Sequence, residues 1–188
     1  MDRLPVSTPN GFALYPGGHI LAYDLTNGEF ERLAIIPNGE GMVSMTMDTK
    51  RGHIFGISWP TGQFIHYDVN NGVLKNLGKV SGNGEGGTPG DDFRTLCRSL
   101  LVDPDSGTVY FSIADGTVLH YTPGDETFKA LDKVDLKLDY FGKYDWTRPG
   151  SMGYNWRKIF WYDAEKVAYG VHGNSGYLFR FDPRNQTI

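Results

Sequence analysis

Residues 98–134 read RSLLVDPDSGTVYFSIADGTVLHYTPGDETFKALDKV, and this stretch decides the fold. Its short apolar runs are separated by the turn signals Asp-Ser-Gly, Asp-Gly and Pro-Gly-Asp. The pattern predicts four antiparallel strands, named a to d in chain order: Cys97–Val102, Thr108–Ile113, Thr117–Tyr121 and Phe128–Leu131. Such a unit is one small sheet with apolar side chains on both faces.

The same unit recurs along the chain. Residues 41–80 and 158–188 align with it, and residues 11–36 align with its later part. The aromatic residue that ends strand c is followed seven positions later by an apolar residue in three units, as Tyr23 and Phe30, Tyr67 and Leu74, and Tyr121 and Phe128. Regular spacing of this kind indicates a repeat of about 40 residues.

A four-stranded sheet with two apolar faces must stack on neighbouring sheets, and radial stacking closes a ring of blades. The sequence therefore predicts an all-β fold, a β-propeller of four-stranded antiparallel blades that forms a single domain over residues 1–188. Three to four blades are expected, near residues 10–36, 42–80, 95–134 and 155–188, with the first and last partial. We interpret the chain as part of a six- to eight-bladed ring, or as a half that pairs with another chain. Closure by four blades, with residues 4–7 supplying an outer strand, is left open.

The repeat resembles a broad group of propellers. An aspartate ends strand a, a glycine precedes strand b, and an aromatic residue followed by aspartate ends strand c, as in Tyr23-Asp24, Tyr67-Asp68 and Phe181-Asp182. This pattern is similar to that of quinoprotein-like, YVTN-type and NHL-type propellers. The resemblance implies the fold and no single function, because such propellers include lyases, lactonases, dehydrogenases and scaffolds.

Composition excludes several classes of partner. The net charge of -4 and the lack of a long basic run argue against nucleic acid. No apolar run is long enough to span a bilayer, and the first ten residues lack the apolar core of a signal peptide. The compartment is left open, since a longer native chain could be secreted or periplasmic.

Cys97 is the single cysteine, which excludes an internal disulfide and predicts a buried structural thiol.

Antiparallel order places the d-to-a and b-to-c connections on one rim of the ring, named the first rim. The a-to-b and c-to-d connections then lie on the second rim. Two long insertions, 81–95 and 135–155, fall on the first rim, whereas the loops of the second rim are short turns. Loops of this length are usually functional or disordered, and the aromatic content of 135–155 argues against disorder. We therefore expect a ligand site on the first rim.

Arginines and aromatic residues near this rim suit an anionic or sugar ligand, because guanidinium groups bind carboxylates and rings stack on sugars. The predicted ligand-binding residues are Arg94, Arg98, Trp146, Arg148, Asn155, Trp156, Arg157 and Asn174. A structural interpretation competes with this one, in which the arginines pair with nearby aspartates and the aromatic residues wedge the blades together.

His172 is the best candidate for an acid-base group, because it aligns with Ser58 and Ser112 and so is unusual in its position. His66 and His120 share one repeat position, which indicates a structural role. No spacing of histidine, cysteine or carboxylates indicates a zinc site, and no cofactor is predicted. Calcium held by oxygen atoms of distant loops is left open.

Three functions follow from these features. The leading hypothesis is a ligand-binding propeller that recognises a small polar or carbohydrate-like molecule on the first rim. The second is a lyase or hydrolase acting on anionic sugars, in which arginines neutralise a carboxylate and His172 moves a proton. The third is a protein-interaction scaffold that uses the aromatic insertion. Homo-oligomers, or further blades of the same protein, are partners compatible with the partial ring.

Overall fold

The computed structural model of the chain describes residues 16–80, 97–137, 153–173 and 175–188. Within these ranges the fold is all-β, with a single short 3-10 turn at Pro37–Gly39. No helix in the described part of the chain is long and apolar enough to cross a membrane. The strands form four antiparallel sheets, and each sheet corresponds to one predicted blade.

The blades are numbered in chain order and differ in strand number within the described ranges. Blade 1 has two strands, β1 (His19–Tyr23) and β2 (Phe30–Ile35). Blade 2 has four, β3 (Gly41–Asp48), β4 (His53–Trp59), β5 (Gln63–Asp68) and β6 (Val73–Lys79). Blade 3 has four, β7 (Leu101–Val102), β8 (Val109–Ser112), β9 (Thr117–Tyr121) and β10 (Lys129–Asp135). Blade 4 has three, β11 (Trp156–Tyr162), β12 (Val167–His172) and β13 (Leu178–Phe181).

Neighbouring strands in each sheet are consecutive in sequence, so each blade is a simple meander. This order confirms the predicted fold class and the assignment of connections to two rims. In blade 3, strand c is Thr117–Tyr121 as predicted. Strand d is longer than predicted and runs from Lys129 to Asp135.

Strand a of blade 3 is the main departure from the predicted boundaries. It was expected over Cys97–Val102 but is reduced to Leu101 and Val102. The preceding residues bond to adjacent blades instead. The Ser44 hydroxyl of blade 2 donates to the Cys97 carbonyl at 3.1 Å, and the Ile159 amide of blade 4 donates to the Ser99 hydroxyl at 3.3 Å. The a strands of blades 2, 3 and 4 are therefore neighbours, as expected of the innermost strands of a propeller.

Two apolar clusters join the blades. A continuous cluster fills the junctions between blades 2, 3 and 4, with Phe55, Phe64, Phe111, Tyr121 and Phe181 fully buried. A smaller cluster joins blade 1 to blade 2 through Ile20, Ile36, Ile54, Ile65 and Tyr67. Side chains alternate between the two faces of each strand, so every internal blade contributes one apolar face to each neighbour.

Candidate functional site

Part of the predicted site lies outside the described residues. This holds for Arg94, Trp146, Arg148 and Asn174, and for most of the two insertions. Arg98, Asn155, Trp156, Arg157 and His172 are described, and all five lie on or directly beneath the first rim of blades 3 and 4.

The start of β11 and the b-to-c loop of blade 4 are tied together at Gly173. The Gly173 amide donates to the Asn155 carbonyl at 2.8 Å. A Cβ atom at position 173 would lie 2.3 Å from that carbonyl oxygen, so the close approach requires glycine. The Nε atom of Arg157 donates to the Gly173 carbonyl at 3.5 Å. Asn155, Arg157 and His172 are thus brought together around one backbone contact.

His172 lies beneath the rim with only 1% of its surface exposed. Its Nδ1 atom accepts a hydrogen bond from the Ser175 amide at 3.2 Å and lies 2.9 Å from the Ser175 hydroxyl. Burial lowers the pKa of His172, and a backbone hydrogen bond with Leu136 raises it in opposition. The imidazole therefore fixes the b-to-c loop of its own blade through Ser175. The acid-base role of His172 stays a prediction.

Trp156 is 1% exposed and packs inside the junction of blades 3 and 4. Its ring stacks on Phe179, with centroids 6.3 Å apart, and its indole nitrogen donates to the Ser99 carbonyl at 2.6 Å. This geometry supports the start of β11. A direct ligand contact through the Trp156 ring stays a prediction. Arg98 is exposed and precedes Ser99, which bonds to β11, so Arg98 lies near the start of that strand.

The strand register corrects one alignment. His172 was expected to share its position with both Ser58 and Ser112. In the sheets, Ile57 pairs with Phe64, Ser112 with Val118 and Val171 with Leu178. The position after each of these residues is Ser58, Ile113 and His172, so Ile113 replaces Ser112 in the alignment. The loop between strands b and c is one residue shorter in blade 3 than in blades 2 and 4. An alignment counted back from the turn glycine therefore places Ser112 one position too late.

A buried polar group at the first rim of blade 2 was not predicted from the sequence. The Glu40 carboxylate is 5% exposed and accepts hydrogen bonds from the hydroxyls of Ser58 and Thr61. Ser58 also accepts from the Gln63 amide at 3.0 Å. Acid and hydroxyl residues in two adjacent rim loops were the available signal, but their pairing depends on the packing of those loops.

The second rim is built for inter-blade attachment. Arg51 of blade 2 donates to the Asp105 carbonyl at 2.5 Å, and Arg184 of blade 4 pairs with the Asp105 carboxylate at 2.8 Å. Lys166 of blade 4 lies 3.4 Å from the same carboxylate. These contacts join three blades, so Arg51, Lys166 and Arg184 already have structural partners.

Metal-ligating side chains are not clustered in the described part of the chain, where no group of three histidine, cysteine or acidic residues could hold an ion. Cys97 is buried there, as predicted, and burial raises the pKa of its thiol.

Solved structures share the fold of this chain. They include a structural genomics protein of unknown function from Bacteroides thetaiotaomicron, 13% identical with a TM-score of 0.54 over 91% of this chain. An auxiliary nutrient binding protein from the same organism is 14% identical, with a TM-score of 0.51 over 92%. The nidogen/laminin complex contains a chain 8% identical, with a TM-score of 0.58 over 92%.

The present chain spans 40% of the length of each Bacteroides protein and 57% of the matched chain in the nidogen/laminin complex. At such low identities the likeness shows the fold alone. No protein-family model and no curated protein matches the sequence.

Proposed function

We propose that the chain is a ligand-binding β-propeller that holds a small polar or carbohydrate-like molecule on its first rim. Its repeats resemble those of the broad quinoprotein-like, YVTN-type and NHL-type group, and membership in that group is part of the proposal. The observation that carries the proposal is the convergence at Gly173, where Asn155 and Arg157 meet at the rim above the buried His172. One fold neighbour is an auxiliary nutrient binding protein, a role of the same general kind.

The proposed contacts come from Arg157 and Arg98, with Asn155 and His172 holding the rim in shape. Arg98 is exposed and Arg157 is half-buried, so both guanidinium groups can reach the rim surface. A guanidinium forms paired, charge-assisted hydrogen bonds with a carboxylate, which favours acidic sugars over neutral ones. Burial of His172 favours binding over turnover, because an acid-base group must reach the proton that it transfers.

The test is ligand binding by the 188-residue chain, measured by saturation-transfer NMR and calorimetry. The probes are glucuronic and galacturonic acid, with glucose and galactose as their neutral counterparts. We expect the acids to bind more tightly. R157A and R98A should each weaken binding of the acids about tenfold, since each removes a hydrogen bond to a charged group worth about 1.5 kcal/mol.

R32A is the matched control, because Arg32 is an exposed arginine on β2 of blade 1, away from this rim. Its affinity should equal that of the unmodified chain. Failure of all four sugars to bind, or an equal loss in R32A and R157A, would overturn the proposal.

A further inference from the structure

One turn is repeated after strand c in three of the blades. It spans residues 24–28 in blade 1, 68–72 in blade 2 and 182–186 in blade 4, with aspartate first and asparagine fourth in each copy. The aspartate carboxylate accepts the backbone amide two positions later, at 2.7, 3.0 and 3.1 Å in the three copies. The fifth residue has left-handed backbone in each, with φ of 76° at Gly28, 65° at Gly72 and 52° at Gln186. The three turns are therefore equivalent in their backbone and differ in their side chains.

The asparagine holds its turn in two different ways. Asn71 and Asn185 donate from Nδ2 to the aspartate that begins the turn, at 2.7 Å in blade 2 and 2.9 Å in blade 4. In blade 1 the Asn27 side-chain oxygen instead accepts from the Glu29 amide at 2.9 Å. An ionised carboxylate accepts hydrogen bonds and donates none. The turn of blade 2 therefore depends on an amide donor at position 71, whereas blade 1 would keep its bond with a carboxylate at position 27.

The residue after the asparagine decides how reactive that asparagine is. The backbone nitrogen of the next residue can attack the side-chain amide carbon, and a Cβ atom on that residue crowds the approach. Asn71 is exposed and is followed by Gly72, which has no Cβ. Asn185 is also exposed and makes the same bond to its aspartate, but Gln186 follows it. One turn thus occurs in a reactive copy and in a hindered copy within the same chain.

We propose that Asn71 is a site of spontaneous deamidation, and that the reaction releases its turn from Asp68. The Gly72 nitrogen loses its proton to solvent base and bonds to Cγ of Asn71, while the bond from Cγ to Nδ2 breaks and ammonia leaves. Water then opens the resulting five-membered imide at either carbonyl, which leaves aspartate or isoaspartate at position 71. An amide and water become a carboxylate and ammonium, so no oxidant or reductant takes part.

The product reverses the interaction that holds the turn. It removes the donor at position 71 and places a second negative charge beside the Asp68 carboxylate. In the intact chain, the hydrogen bond from Asn71 is the largest cause that holds the pKa of Asp68 below its usual value. A neighbouring carboxylate disfavours ionisation, so deamidation should raise the pKa of Asp68 above its value in the intact chain.

This turn also supports an attachment between blades 2 and 3 on the second rim. The Asn70 side-chain amide donates to the Arg51 carbonyl at 2.8 Å, and the Arg51 guanidinium donates to the Pro104 carbonyl of blade 3 at 3.3 Å. Release of residues 68–72 should therefore loosen the attachment through Arg51. The inference rests on the repeated turn and its hydrogen bonds, and does not depend on the proposed ligand.

The reaction is measured on the folded 188-residue chain in mildly alkaline buffer. Peptide mapping by mass spectrometry follows each asparagine separately, and isoaspartyl methyltransferase identifies the isoaspartate product. Asn71 should deamidate at least about tenfold faster than Asn185, a difference of about 1.4 kcal/mol in activation free energy. G72Q should protect Asn71, and Gln186 at φ 52° shows that the turn accepts glutamine at this position. Q186G should make Asn185 as reactive as Asn71.

Two variants test the effect of the product on the turn. N71D should melt at a lower temperature than the unmodified chain, and NMR titration should show a raised pKa for Asp68. N27D is the matched control, because its carboxylate still accepts from the Glu29 amide. Its melting temperature should equal that of the unmodified chain.

Equal rates at Asn71 and Asn185 in the folded chain would overturn the proposed site. Deamidation of Asn71 only after denaturation would do the same, since the folded turn would then protect the residue. An N71D variant that melts like N27D and leaves the pKa of Asp68 unchanged would show that the turn is not released.

Discussion

His66 shows how a repeated histidine acts as a structural residue at a blade junction. It is 3% exposed, and its ring bridges His53 of blade 2 and Tyr121 of blade 3 through contacts of 3.1 Å each. Burial, reinforced by the charge of His53, lowers the pKa of His66 to about 4 from its usual 6.5. The folded protein therefore holds this imidazole neutral at pH values where an unfolded chain would protonate it.

This difference predicts that the chain loses stability on mild acidification. Above pH 6.5 both states leave His66 neutral, and its contribution to stability is complete. As the pH falls from 6.5 to about 4, the unfolded state binds a proton that the folded state refuses. The free energy of unfolding should drop by about 3 kcal/mol through this one group. Urea denaturation at a series of pH values measures the drop.

H66Q is the control for this prediction, because glutamine can hydrogen-bond to Tyr121 and does not titrate. Its free energy of unfolding should depend less steeply on pH between 6.5 and 4. An identical slope in the two proteins would show that other groups cause the acid sensitivity.

Gly173 is a second residue whose identity the packing dictates. An added Cβ would lie 2.3 Å from the Asn155 carbonyl oxygen, and a backbone atom cannot move aside cheaply. We expect G173A to lower the free energy of unfolding by about 2 kcal/mol and to weaken ligand binding at the rim. G41A is the matched control, since a Cβ at that position meets nothing within 4 Å. Equal stability of the two variants would contradict the close approach.

At the scale of the element, strand a of blade 3 joins blades more than it extends its own sheet. The residues that lead into it form hydrogen bonds at two different junctions. The Ser44 hydroxyl of blade 2 donates to the Cys97 carbonyl, and the Ile159 amide of blade 4 donates to the Ser99 hydroxyl. S44A and S99A should each cost about 1 kcal/mol in the free energy of unfolding, the usual contribution of one hydrogen bond. The double variant should be additive within about 0.5 kcal/mol, because the two bonds share no partner. A larger coupling in this double-mutant cycle would mean that the two junctions form one unit.

The elements also show what sequence can predict. Turn glycines and alternating apolar residues were sufficient for the blade order and for strand c of blade 3, since these signals are local. The shortening of strand a depends on its contacts with other blades, and the correct alignment of Ser112 depends on strand register. The spacing of residues along the sequence determines neither.

In the candidate site, too, local sequence signals predicted some features, and packing between distant segments determined the others. Arg157, Asn155 and His172 were expected on one rim, and the structure brings them together there. The burial of His172 and Trp156, and the Glu40 cluster of blade 2, arise from loop packing between distant segments. No local pattern distinguishes a polar residue that faces a ligand from one that fixes a loop.

For the whole molecule, the unequal clusters predict unequal protection of the blades. Blades 2, 3 and 4 share one continuous core, whereas blade 1 has two described strands and is joined through a small cluster around Ile36, which is 1% exposed. Backbone amides of β1 and β2 should therefore exchange with deuterium through local opening, and those of β4, β5, β8 and β9 only through global unfolding. The measurement is hydrogen exchange followed by mass spectrometry on the 188-residue chain.

I36A sharpens this test, because it removes buried apolar contacts from the small cluster alone, at a typical cost of 2–5 kcal/mol, about 3 kcal/mol here. Exchange in β1 and β2 should become at least about tenfold faster, and exchange in β8 and β9 should stay unchanged. Equal acceleration in all four strands would show that blade 1 unfolds together with the large core, so that the stack behaves as one cooperative unit despite its two clusters.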